Sequence, residues 1–177
     1  MDAVKDIGAL LDWIEMQPNL DSKRVAVYGA SYGGFMALAS AVEFSDRLAC
    51  GIDLFGVSDL ENRIRETRED RRDRVRAEYG DERDPEMRSF LHSISPLGHE
   101  ERIKIPLFIF QGAHDTRVPA GESRRMAARL RARGQLVWYI EASDQGHQMP
   151  NPMNSFFVMP AGLTFLEACF AERKYRR

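Results

Sequence analysis

An α/β fold built on a mostly parallel sheet, with helices on both of its faces, is what this 177-residue sequence predicts. Two observations carry the prediction. Short, uniformly apolar runs alternate along the chain with segments of helical periodicity. The first of those runs, "KRVAVYG", is too uniformly apolar for a half-exposed sheet, so its strand is expected to be buried on both faces. Residues 1–177 are long enough, and at 44% apolar rich enough, for one domain with a sizeable core.

The elements follow in order. "MDAVKDIGALLDWIEMQ" places Val4, Ile7, Leu10, Leu11 and Ile14 on one helical face, and Pro18 with Asn19 stops it. "KRVAVYG" reads as the first strand, and "SYGGFMALASAVEFS" as a helix whose small residues permit close packing. Ala49 to Gly56, Ile105 to Gly112 and Gln135 to Ala142 are the next three strands. Between the last two, "AGESRRMAARLRARG" is an amphipathic helix closed by Gly134. A final helix is read from Pro160 to Lys174, with Leu163, Phe165, Leu166, Cys169 and Phe170 as its apolar residues.

One segment, residues 61–90, is dense in charge. Its seven arginines between Arg63 and Arg76 resemble a phosphate-binding strip, but Glu61, Glu66, Glu69, Asp70 and Asp73 are interleaved with them. That spacing predicts salt bridges along a solvated or interdomain helix rather than a nucleic-acid surface. The net charge of −2 likewise gives no pull toward nucleic acid or anionic lipid. Cys50 and Cys169 form no CxxC unit, so both are expected to be buried thiols, with no disulfide scaffold and no metal site. No apolar run is read as approaching the roughly 20 residues of a membrane span. The N-terminal segment lacks a basic n-region and a cleavage site, which leaves a cytoplasmic location as the expectation.

Function is concentrated in "RVAVYGASYGGFMAL", residues 24–38. Gly29-Ala30-Ser31-Tyr32-Gly33 fits a nucleophile elbow, a tight strand-to-helix turn that lifts a serine hydroxyl above the sheet. Glycines relieve crowding there, and the backbone N–H of Tyr32, at the helix start, is placed to stabilise an oxyanion. A glycine-lined packing turn would look the same, so the rest of the machinery must follow in the order serine, acid, histidine. Asp115, in "FQGAHDTRVP", lies just past a strand end and is the candidate acid; a turn-former capping the helix after Pro119 is its plain alternative. His147, in "EASDQGHQMP", is the candidate base, again in a loop after a strand. His92 and His99 precede the third strand and read as surface or helix-end residues, and His114 adjoins Asp115 too closely to face the same way. Asp144 is the rival acid. The chemistry these residues suit is attack by Ser31 on a carbonyl carbon, with His147 taking its proton, Asp115 holding the imidazole, and an acyl-enzyme resolved by water. No cofactor is implied.

The segments "RVAVYGASYGGFMAL", "AEYGD", "SISPLGHEERIKIPLFIFQGAHDTRVP" and "DQGHQMPN" resemble the catalytic domain of the prolyl oligopeptidase family, in particular its acylaminoacyl-peptidase and dipeptidyl-peptidase branches. The resemblance implies an α/β-hydrolase fold, a triad of Ser31, Asp115 and His147, and short peptides as substrates. It also exposes departures. Nothing here builds the family's β-propeller, and the strands expected upstream are missing, along with the tyrosine that supplies a second oxyanion donor. The chain is therefore read as a partial α/β-hydrolase domain. Alternatives are a carboxylesterase-like hydrolase of small esters, or a truncated, inactive hydrolase serving as an interaction domain. A further expectation is self-association through "VAVYG", left as an apolar sheet edge.

Overall fold

A computed structural model describes residues 2–148 and 152–175 of the chain. Helix α1 (Asp2–Glu15) leads into β1 (Ala26–Ala30), α2 (Tyr32–Glu43) and β2 (Cys50–Leu54). Three helices follow, α3 (Leu60–Arg65), α4 (Glu69–Tyr79) and α5 (Pro85–Ile94), and a 3-10 turn at Glu100–Arg102 precedes β3 (Leu107–Gly112). Helix α6 (Ala120–Ala132), β4 (Val137–Ala142) and α7 (Pro152–Tyr175) complete the order. The four strands are all parallel and lie in sequence order, β1-β2-β3-β4. That is the α/β arrangement expected from the alternation of apolar runs and helices.

Both faces of the sheet are covered at the two central strands, β2 and β3, whose residues are all buried. The expectation that the uniformly apolar first run is buried on both faces is corrected: β1 lies at the sheet edge, where the helix layers thin out, and is half-buried at Ala26 and Val27 and exposed at Tyr28 and Ala30. On one face, Leu107 and Ile109 of β3 pack with Leu11 of α1, Leu38 of α2, and Met126 and Leu130 of α6. On the other, Phe108 and Phe110 pack with Val158, Phe165 and Cys169 of α7. All six residues of β3 are buried. A third cluster joins the outer side of α2, through Phe35 and Ala39, to Leu60, Ile64, Val75 and Leu91 of α3, α4 and α5. Cys50 and Cys169 are both buried, as expected.

Helix ends are set by local chemistry. Asp59 and Asp84 cap α3 and α5 by accepting the N–H groups of Asn62 and Glu86, and Pro85 opens α5. Gly134, at φ +77°, ends α6. Its N–H donates to Arg131 O, and that of Gln135 donates to Leu130 O, the paired bonds of a Schellman stop.

Two expectations are corrected. The charged segment is three short helices, not one, because Asp59, Arg68 and Asp84 each begin a new helix. Of the expected acids, Glu61, Asp70 and Asp73 form ion pairs, with Arg65, Arg68 and Arg76, and Arg76 also pairs with Glu82, which was not anticipated; Glu61 and Glu82 are buried rather than solvated. The last helix starts at Pro152, eight residues before the Pro160 at which it was read to begin. Pro160 removes one N–H donor, but burial of Val158 and Phe165 on either side holds the helix across it. As a result α7 contains 18 residues, Asn154–Ala171, long and apolar enough to cross a membrane by length and composition alone. No such run was anticipated when the helix was started at Pro160.

Candidate active site

The site is assembled at the C-terminal ends of the parallel strands, where ligand-binding residues gather in open α/β sheets. Ser31 sits between β1 and α2 with φ 57° and ψ −119°, in the left-handed half of backbone space that a serine rarely occupies. The strain is held by two bonds: Ser31 N–H donates to Leu54 O of the neighbouring strand, and Phe35 N–H donates to Ser31 O. Gly29 is what allows the turn to be this tight. A Cβ there would stand 1.9 Å from Gly33 O, whereas a Cβ on Gly33 would meet nothing within 4 Å. The two glycines of the pattern thus have different reasons, and the expectation that both relieve crowding by lacking a side chain holds for Gly29 alone. Gly34 is the second one the packing demands, since its Cβ would lie 2.5 Å from Gly56 Cα.

From this turn a continuous run of hydrogen bonds leads inward. The Ser31 hydroxyl lies 2.8 Å from His147 Nε2, and His147 Nδ1 lies 2.8 Å from Asp115 Oδ2. A carboxylate only accepts, so Nδ1 carries the proton and Nε2 is the acceptor that faces the serine. Asp115 is itself saturated. Its Oδ1 accepts the N–H groups of Arg117 and Val118 at 2.8 and 2.9 Å, and its Oδ2 also accepts Gln111 Nε2 at 3.1 Å. Burial pushes this carboxyl up, but the bonds from His147, Val118 and Arg117 outweigh it, and Asp115 is held below its ordinary range. Oδ1 closes a turn with the Arg117 and Val118 amides but does not cap α6, which begins after Pro119 without a side-chain cap, while Oδ2 faces His147.

The two loops that carry Asp115 and His147 are pinned to each other. His114 N–H donates to Gln145 O, and Ala113 N–H donates to Ala142 O. Gly112 lets them approach, because a Cβ there would stand 2.4 Å from Gly146 O. The remaining candidates fall outside the site. Asp144 is exposed and accepts from Asn154 Nδ2, His92 pairs with Glu61 at the end of α5, and His114 is exposed.

Three supporting residues were not anticipated. Gln111 is fully buried, donates to Asp115 and to Val118 O, and accepts from Ser123 Oγ at 2.8 Å, which fixes the acid from below. Phe55 has φ 46°, the other positive-φ non-glycine residue among those described, and its ring meets the His147 imidazole edge-on at 5.0 Å. Glu122 of α6 is fully buried and accepts from Ser58 N–H, Ser58 Oγ, Asp59 N–H and Asn62 Nδ2, tying the loop after β2 to α6. A polar side chain at the end of the apolar run "IPLFIFQG" was the available signal for Gln111, whereas Glu122, in "AGESRRM", and Phe55 gave none.

Tyr32 occupies the first position of α2, where a backbone N–H has no intrahelical acceptor. Its ring lies 5.5 Å from that of Phe35 and 6.3 Å from that of Tyr79. These rings, with Leu60 and Ile94, line a cleft of about 230 Å³ beside the elbow. Among the described residues, no cluster of three or more side chains is arranged to hold a metal ion.

A parallel sheet covered on both faces, with a serine on a strained strand-to-helix turn and an acid and a histidine in later loops, defines the α/β-hydrolase class. Within that class, the chain belongs to the prolyl oligopeptidase family, whose model matches residues 2–173. It is 35% identical over 149 residues to dipeptidyl peptidase family member 6 of Caenorhabditis elegans, an alignment covering 82% of this chain and 20% of that protein. It is 30% identical over 171 residues to dipeptidyl aminopeptidase BIII of Pseudoxanthomonas mexicana, covering 95% and 25%. The crystal structure of a puromycin hydrolase superposes with a TM-score of 0.86 at 24% identity, covering 95% of this chain and 25% of that one. The chain thus spans about a fifth to a quarter of the length of these relatives.

Proposed function

We propose that this chain carries the reacting groups of a serine peptidase acting on short peptides, with Ser31 as nucleophile, His147 as general base and Asp115 as the group that orients it. The observation that supports the reading best is the unbroken hydrogen-bond run from Ser31 Oγ through His147 to Asp115, built on a strained elbow. Ser31 attacks the scissile carbonyl as His147 Nε2 takes its proton. The imidazolium that forms is stabilised by Asp115, which stays ionised because three other donors already hold it. The oxyanion is met by the Tyr32 N–H and the positive end of α2. Collapse of the tetrahedral species moves the proton from His147 to the leaving amine and leaves an acyl-enzyme on Ser31. Water then attacks the acyl carbon with His147 as base, releasing the acid product and restoring the serine.

The relatives named as dipeptidyl peptidases and acylamino-acid-releasing enzymes favour a short peptide, cleaved near its amino terminus, as the substrate class. Chromogenic dipeptide anilides, a blocked aminoacyl anilide and a short-chain ester, assayed in parallel, test the reading. Turnover of an anilide that is abolished by Ser31→Ala supports it. Turnover of the ester alone moves the assignment to an esterase, and turnover that survives Ser31→Ala removes the serine from the mechanism.

A further inference from the structure

Beneath the elbow lies a carboxyl group that the mechanism above does not use. Asp53 is the fourth of the five residues of β2, paired with Gly29 on one side and Ile109 on the other, and is 1% exposed. Its Oδ1 is buried without a hydrogen-bond partner, and the Gly56 amide is the one backbone donor acting on the group. The carboxyl fills a slot that two glycines leave open: a Cβ on Gly34 would stand 2.3 Å from Oδ1, and a Cβ on Gly56 would stand 2.2 Å from it. Gly34 is the third residue of α2, in the same turn that presents Ser31 and the Tyr32 N–H.

The surroundings offer no countercharge. The first turn of α2 carries no charged side chain, the strand partners are Gly29 and Ile109, and the loop from Phe55 to Ser58 is uncharged. From α6 the facing group is Glu122, another carboxyl, which acts against ionisation. An anionic oxygen with no donor costs far more in such a place than a neutral carboxyl does. Burial, with Glu122 adding to it against the Gly56 hydrogen bond, pushes Asp53 up to about 7.

We propose that Asp53 is a positioning residue for the nucleophile elbow: an uncharged wedge between Gly34 and Gly56 whose ionisation weakens the anion-stabilising first turn of α2. The proposal rests on the reading of Ser31 as nucleophile with the Tyr32 N–H as its oxyanion donor. Once ionised, Asp53 places a negative charge under the amides that meet the developing oxyanion. At an effective dielectric constant of about 20, such a charge slows formation of the tetrahedral species on the order of tenfold or more.

The test measures the rate at which a fluorophosphonate phosphonylates Ser31 between pH 5.5 and 9.5, in the whole chain and in Asp53→Asn. The unaltered chain is expected to lose on the order of tenfold or more on the alkaline side of its profile, and Asp53→Asn, neutral at every pH, to keep its rate. Profiles that fall together, or that do not fall at all, overturn the proposal. A second readout uses amide NMR of the unaltered chain, so a variant that fails to fold leaves the test intact. The Tyr32 and Gly34 amide shifts must follow an ionisation in step with the Asp53 carboxyl carbon; amides indifferent to it overturn the proposal. If Ser31 reacts at no pH, the assignment of the nucleophile fails, and the NMR titration alone decides the role of Asp53 at the turn.

Discussion

Gly29 and Gly33 occupy equivalent places in the sequence pattern but not in the structure, and substituting each by alanine separates pattern from physics. At position 29 a Cβ would stand 1.9 Å from the backbone oxygen of Gly33, where real Cβ atoms keep beyond 3.0 Å. The turn must then open by about 1 Å against backbone that cannot rotate away. Overpacking against movable side chains costs about 1–3 kcal/mol, so a backbone collision belongs at the top of that range or above it. A displacement of about 1 Å at the nucleophile is also enough to slow its reaction on the order of 100-fold. Gly33→Ala meets nothing within 4 Å and places alanine in the first turn of a helix, so stability should rise by a few tenths to about 1 kcal/mol. Urea unfolding and the phosphonylation rate of Ser31, measured on both variants, check this. A Gly29→Ala chain that unfolds and reacts like the unaltered one would refute the steric account of the elbow, as would a Gly33→Ala chain that loses stability.

Asp115→Asn should be far more damaging than Asp144→Asn. Asparagine has one acceptor oxygen, which the Arg117 and Val118 amides claim, leaving its NH₂ toward His147 and forcing the imidazole into the tautomer that cannot accept from Ser31. Turnover should fall about 10⁴-fold in the first variant and stay near the original in the second; the reverse ranking would transfer the acid role to Asp144. The open edge of β1 leads to a different expectation. β1 pairs with β2 alone among the described strands, and Tyr28 on it is 62% exposed, so the chain should self-associate in light scattering. Tyr28→Lys should reduce that association, and scattering unchanged by the substitution would place the contact elsewhere.

Much of this was legible because strand burial and elbow chemistry both act locally on the sequence. Apolar runs without alternation gave a two-sided parallel sheet, and Ser31, Asp115 and His147 each follow a strand, so the fold brings their loops to one end of it. What stayed hidden depends on contacts between distant segments. Gln111 and Glu122 read as ordinary strand and helix residues until Ser123, Ser58 and Asn62 are seen to satisfy them. Asp53 was passed over inside "ACGIDLFG", although a carboxyl in a strand buried on both faces is itself a signal. Phe55 was illegible for a different reason, since nothing in its side chain announces a positive φ. The start of α7 differs because Pro160 reads locally as a first helical residue, whereas packing of Val158 and Phe165 carries the helix across it from Pro152.

The central claim is that Ser31 is a nucleophile activated through His147, and peptide mapping of a fluorophosphonate adduct by mass spectrometry tests it most directly. The account predicts one adduct per chain on the peptide containing Ser31, absent after Ser31→Ala and strongly slowed by His147→Ala but not by His92→Ala. An adduct on another serine, or labelling of Ser31 that is indifferent to loss of His147, would contradict it.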